Sequence, residues 1–211
     1  MFFSFEGIDG SGKTTQARLL ADALRQRGQH VVEVREPGGT DLGERVRALV
    51  LDPDRRVDAR AELLLFSAAR AQLVADVVEP ALASGAVVVA DRFYDSSTAY
   101  QGGGRGLADP EWMGSLHTFA TAGRSPDRTY FIDVPLATAA ARRTRRSPDR
   151  MEQGDGAFYE RVRASYLETA RQDRVLTLDG TLSVPRLHTL IEADATSLQD
   201  ADRLGGGNPT T

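Results

Sequence analysis

No cysteine occurs in the chain, so a disulfide frame and a thiolate metal site are both excluded. Its three histidines, His30, His117 and His188, lie far apart and show no metal-ligand spacing. An excess of positive charge is also missing. The net charge is −4, which argues against holding DNA or RNA by bulk electrostatics. No apolar run approaches the roughly 20 residues of a membrane span. The opening Phe2–Phe5 run is too short for a signal peptide and is followed at once by Glu6 and Asp9, so a cytoplasmic location is expected. Lysine is almost absent. The chain has 26 basic residues, and all but Lys13 are arginine. A bias toward arginine would erase lysine wherever arginine serves equally well. Lys13 therefore marks a place where arginine does not serve.

The 211 residues are 41% hydrophobic, enough for one substantial core. Short apolar runs at Phe2–Phe5, Val31–Val34, Ala86–Ala90, Thr129–Ile132 and Val175–Leu178 have the length of buried strands. They show no alternation, as expected of strands covered on both faces. Stretches with helical spacing, such as Thr14–Arg27 and Ala61–Ala83, lie between them. The alternation predicts an α/β fold with a parallel sheet and helices on both faces. One domain is expected over 1–196. The stretch 197–211, ending Gly205-Gly206-Gly207-Asn208-Pro209-Thr210-Thr211, has no apolar pattern and reads as a mobile tail. Ligands of such sheets bind beyond the carboxyl ends of the strands. Those ends carry Glu6 and the glycine loop, "REPGGT", Asp91-Arg92, Asp133, and Asp179-Gly180-Thr181.

Gly7-Ile8-Asp9-Gly10-Ser11-Gly12-Lys13-Thr14 fits G-x-x-x-x-G-K-[ST] between a strand and a helix, the context that gives the motif its meaning. Glycines let backbone N–H groups converge on phosphate oxygens, and the helix N-terminus adds partial positive charge. Lys13 supplies a compact, flexible point charge to the β- and γ-phosphates; a planar guanidinium is bulkier. Thr14 is the expected magnesium ligand through its hydroxyl, with Asp91 the second acidic residue near the ion. Thr15 continues the ATP-binding segment.

The pieces "FEGIDGSGKTTQ", "REPGGT", "LLLFSAARAQL", "DRFYDSSTAYQGGGRG", "FIDV" and "DRME", in this order, resemble the thymidylate kinase family from Phe2 to about Ile191. The resemblance implies a three-layer P-loop kinase fold with a five-stranded parallel sheet and an arginine-rich lid at about 142–154. It implies γ-phosphoryl transfer from ATP to dTMP with Mg²⁺, and a homodimer packed through helices including Ala61–Ala83. No nucleic-acid or membrane partner is expected. By the same resemblance, Asp9 receives the sugar 3′-hydroxyl, Phe66 stacks on thymine and Arg70 bonds a base carbonyl. Ser97, Tyr100 and Gln101 form the opposite wall; which of Ser97, Thr98 and Gln101 meets the base edge is left open.

Arg92, Arg35 and Arg105 are candidates for the acceptor phosphate, because a guanidinium fork suits a phosphate that must be held during attack. Glu36 and Pro37, in the turn "EPGG", aim Arg35 and Glu36 into the cleft. Gly102-Gly103-Gly104 marks either a hinge or a close backbone approach. The run "RRTRRSPDR" carries Arg142, Arg143, Arg145, Arg146 and Arg150. A solvated face is the ordinary reading of such a run. Some relatives place an arginine inside the phosphate loop, where this chain has Gly10 and Ser11. The lid is then the donor of transition-state charge, with Arg142, Arg145 and Arg146 as catalytic candidates and Arg142, Arg143 and Arg150 facing ATP. Gly180 and Thr181 complete the ATP side. Two rivals stand beside this reading. One is a kinase for another monophosphate such as dUMP or dCMP. The other is a nucleotide switch, which would ordinarily carry N-K-x-D; the lone lysine precludes that motif.

Overall fold

A computed structural model describes residues 1–107, 109–143 and 150–205. Five strands, β1 (Phe2–Glu6), β2 (Val31–Arg35), β3 (Val87–Asp91), β4 (Arg128–Asp133) and β5 (Val175–Asp179), form one parallel sheet in the order β2-β3-β1-β4-β5. Residues of the central strands β1, β3 and β4 alternate between two buried faces, while the edge strands leave Glu33, Arg35, Thr177 and Asp179 exposed. Phe3, Phe5, Val87 and Val89 join one apolar layer with Leu20, Leu24, Leu187 and Ile191. Phe2, Val88 and Ala90 join the other with Leu73, Val78 and Phe93. That double burial is why the central strands read as apolar runs rather than as alternating ones.

The first layer is covered by α1 (Lys13–Gln26) and α9 (Val184–Gly205). The second is covered by α3 (Ala59–Leu73) and α4 (Glu79–Ala83), joined through a π turn at Val74–Val78. The sequence suggests one uninterrupted helix here. Pro80 has no N–H to donate and crowds the carbonyl four residues back, so a local change of register before it is physically expected. The remaining helices are α2 (Asp41–Leu51), α5 (Tyr94–Ser97), α6 (Pro110–Ala120), α7 (Leu136–Arg143) and α8 (Gly156–Thr169).

A second π segment, Thr98–Gly104, continues α5 and packs on α8. A Cβ at Gly103 would lie 2.5 Å from the Ser165 Cβ, and one at Gly104 would lie 2.6 Å from the Phe158 ring. Arg161 donates to the Gly104 carbonyl at 2.9 Å. The glycine triplet is thus a close approach of backbone to helix. At the C-terminus the helix continues past 196, where the sequence reading placed a tail. Ala195 is fully buried and Leu198 packs against the core. Gln199 exchanges amide hydrogen bonds with Gln29 at 2.8 and 3.0 Å. The helix is described to Gly205, and residues 206–211 lie outside the described range. Among the described residues, no helix is long and apolar enough to cross a membrane.

Candidate active site

The carboxyl ends of β1, β2 and β3 open on a cleft of about 280 Å³. One wall is the glycine loop. Gly10 has φ +87°, and a Cβ there would sit 2.6 Å from the Ala139 carbonyl oxygen, so only glycine lets α7 lie this close. Gly12 caps α1 without any side-chain bond, which leaves the first N–H groups of the helix facing the loop. Lys13 follows and is buried, with its Nζ 3.3 Å from Asp9 Oδ1.

Asp9 is the hub of the site. Besides Lys13, it accepts from Arg92 Nη2 at 2.7 Å and from the Tyr100 hydroxyl at 3.0 Å. Burial works against ionisation here. The positive charges of Arg92 and Lys13 outweigh it, and with the two hydrogen bonds they hold Asp9 well below the usual carboxylate range. Arg92 also donates to the Gly7 carbonyl, Ser96 and Tyr166, and lies over the Tyr100 ring at 5.1 Å. Its backbone φ is +75°, a strained value for a non-glycine residue. The contacts of the guanidinium group explain how that conformation is held.

Beneath this pair lies Glu6, fully buried. It accepts from the Phe93 N–H at 2.7 Å, the Ser96 hydroxyl at 2.6 Å and the Tyr166 hydroxyl at 2.8 Å. Burial and the nearby charge of Asp95 push it up to about 7, against the pull of Arg92 and of these donors.

The Thr14 hydroxyl donates to Asp91 Oδ2 at 2.6 Å. Asp91 Oδ1 is buried with no hydrogen-bond partner. A hydroxyl beside an unsatisfied carboxylate oxygen, at the mouth of a phosphate loop, is a donor set suited to a hard divalent cation.

On the far side, Phe66 and Arg70 lie one turn apart on α3 and both line the cleft. Arg70 is 1% exposed. It bonds Glu36 at 2.6–2.8 Å and donates to Ser97 Oγ at 3.0 Å, while its Nη1 is buried without a partner. Burial raises Glu36 above its ordinary value, and Arg70 opposes that rise. Pro37, Tyr100 and Gln101 also line the cleft.

Other expected residues are placed differently. Arg35 lines the cleft but pairs with Glu44 at 3.1 Å. Arg105 and Arg150 both turn to the buried Glu62, at 3.3 and 2.7 Å. Arg143 lies over the Tyr159 ring at 4.3 Å. Arg142 donates to the carbonyls of Gly10, Ser11 and Gly180, so it binds α7 to the phosphate loop and to the loop after β5. Thr181 bonds Asp179. Ile8 packs in the core behind the loop. Thr15 belongs to the first turn of α1. Arg145 and Arg146 lie outside the described residues. Arg47, Ser96, Tyr166, Glu6 and Glu62 enter the site or its support without a spacing signal in sequence. Of these only Glu6, at a strand end, had a positional cue.

A phosphate loop, a strand-end Asp-Arg pair and a cleft running from them to Phe66 and Arg70, at the carboxyl ends of a parallel sheet, define a P-loop phosphotransferase. The family model described as thymidylate kinase matches residues 5–191. The chain is 45% identical over 194 residues to a thymidylate kinase of Thermosipho africanus, covering 92% of this chain and 96% of that one. It is 47% identical over 191 residues to one of Kosmotoga olearia, covering 89% and 91%. A crystal structure of thymidylate kinase from Ehrlichia chaffeensis superposes with a TM-score of 0.76 at 34% identity, covering 94% and 98%. The chain belongs to the thymidylate kinase family.

Proposed function

We propose that the protein transfers the γ-phosphoryl group of ATP to dTMP, giving dTDP and ADP. One observation carries the reading: Lys13 and Arg92 converge on the same oxygen of Asp9. A lysine of the phosphate loop and an arginine of the opposite wall thus point their charges at one spot. The donor and acceptor phosphates would meet there.

Loop amides and Lys13 hold the β- and γ-phosphates. Arg92 holds the acceptor phosphate, with Arg35 at the rim. Asp9 keeps both cations in place and offers its outer face to the sugar 3′-hydroxyl, a strong acceptor for that donor. Tyr100 closes the sugar side, Phe66 covers the base and Arg70 reads its edge. Thr14 and Asp91 would hold Mg²⁺ together with the phosphates, and the ion supplies charge neutralisation when bound. No strong general base is needed, because the acceptor phosphate is already anionic at pH 7; the residues supply alignment and charge. Residues 142–154 are the lid in this reading, and Arg142 is its catalytic candidate among the described residues. The homodimer belongs to the same proposal. Leu64 on α3 and Trp112 and Phe119 on α6 are supporting features, being 57%, 49% and 86% exposed. A cytoplasmic place of action completes it.

The test is a substrate panel with purified protein, ATP and Mg²⁺. We expect ADP and dTDP in equal amounts, with dTMP preferred over dUMP and dCMP. A clear preference for dCMP, or ADP release that ignores dTMP, would overturn the assignment.

A further inference from the structure

We propose that Glu62 sets the base specificity of the site, by fixing which end of the Gln101 amide faces the cleft. The proposal rests on the dTMP reading above. Glu62, Phe66 and Arg70 are spaced four apart and share one face of α3. The Glu62 carboxylate is 0% exposed, yet it is well supplied with donors. Arg150 reaches Oε2 at 2.7 Å and Arg105 at 3.3 Å. Gln101 Nε2 donates to Oε1 at 2.8 Å.

A carboxylate paired with two guanidinium groups only accepts hydrogen bonds. The Gln101 amide therefore has one admissible orientation, with its NH₂ toward Glu62. Its carbonyl oxygen is turned the other way, and Gln101 is a lining residue of the cleft. Across from it, Arg70 has already committed Nε and Nη2 to Glu36 and Ser97, and its Nη1 is buried and unspent. The base pocket thus offers one donor and one acceptor.

Thymine and uracil present the complement, a carbonyl O4 beside an N3–H. Cytosine presents the reverse, an amine beside a bare N3. In the cleft it would set donor against donor and acceptor against acceptor. A buried polar group left unpaired in this way is costly enough to decide specificity. Were Glu62 a group that could also donate, Gln101 could turn over and the code would be lost. Glu62 is accordingly a positioning residue that acts through Gln101.

Glu62→Gln tests this, because a second amide can donate to the Gln101 carbonyl and release its orientation. The measurement is kcat/KM for dTMP, dUMP and dCMP at saturating MgATP, parent and variant side by side. The preference for dTMP over dCMP should fall about ten- to hundredfold, chiefly through KM. dUMP, which shows the same edge as dTMP, should fall in parallel with it. Losses shared equally by dTMP and dCMP, with the preference kept within about twofold, would overturn the proposal. Gln101→Met, which leaves Glu62 with its two arginines, covers the case in which Glu62→Gln fails to fold. Loss of preference in it supports the proposal, and an unchanged preference overturns it. Failure of the dTMP reading itself would appear separately, as a parent enzyme that makes no dTDP.

Discussion

Replacing Arg70 by Met should damage stability and dTMP binding together, and a second substitution should separate the two. Arg70 and Glu36 are buried to 1% and 5% side-chain exposure and lie 2.6 Å apart. Removing the guanidinium leaves a carboxylate that burial already disfavours without the partner that opposes that cost. Breaking a buried pair in this way costs about 3–5 kcal/mol. For a chain of this size each kcal/mol is worth about 2–4 °C, so Tm should fall by roughly 6–20 °C. Adding Glu36→Gln removes the stranded charge and should return much of that loss, because two neutral side chains of similar volume cost little in an interior. The KM for dTMP should not return, since neither new side chain donates to the base from the place of Arg70 Nη1. Thermal melts and steady-state kinetics on the two single variants and the double decide it. Recovery of dTMP affinity in the double variant would refute the role given to Arg70. An unchanged Tm in Arg70→Met would refute the energetic argument.

Lys13→Arg should lose at least about a hundredfold in kcat while still folding, because a guanidinium does not fit beside Asp9 under the loop; near-normal turnover in a coupled ADP assay would discard the size argument. Glu6 gives a pH signature. Its value in the fold lies above the ordinary carboxyl value, so its contribution to stability is fully present below about 4.5 and lost as pH rises through about 7. A move from 4.5 to about 7 is worth ~3 kcal/mol. Tm should therefore decline between about pH 4.5 and 7 and level off above, and Glu6→Gln should flatten that decline; the same slope in the variant would show that another group is responsible. A chain cut after Thr196 lacks Leu198 and the Gln29–Gln199 bonds and should be about 2 kcal/mol less stable than one cut after Gly205. Equal melts for the two truncations would contradict the packing of α9.

The parts of this molecule legible in sequence are those whose physics is local. Each strand lies within about one residue of its apolar run, because the central strands are buried on both faces and the edge strands still bury Val31, Val34 and Leu178. The glycine loop is legible because phosphate binding needs consecutive backbone conformations that few residues adopt. Glu62, Gln101, Arg105 and Arg150 were not legible as a unit. They are far apart in the chain, and only the packing of α3 near the π segment and the turn at Arg150–Gln153 brings them together. The double duty of Asp9 was half visible: the family resemblance assigned it a sugar hydroxyl, while its hold on Arg92 depends on the parallel pairing of β1 with β3. The helical character of 197–205 was missed because its core contacts are sparse, Leu198 and Gln199 among polar neighbours.

The most direct measurement is a crystal structure of the protein with dTMP and a non-hydrolysable ATP analogue. The account requires the thymine ring against Phe66 with its edge toward Arg70 and Gln101, the sugar hydroxyl on Asp9, and both phosphates converging between Lys13 and Arg92. A base lodged elsewhere, or a dTMP phosphate remote from Arg92, would contradict it.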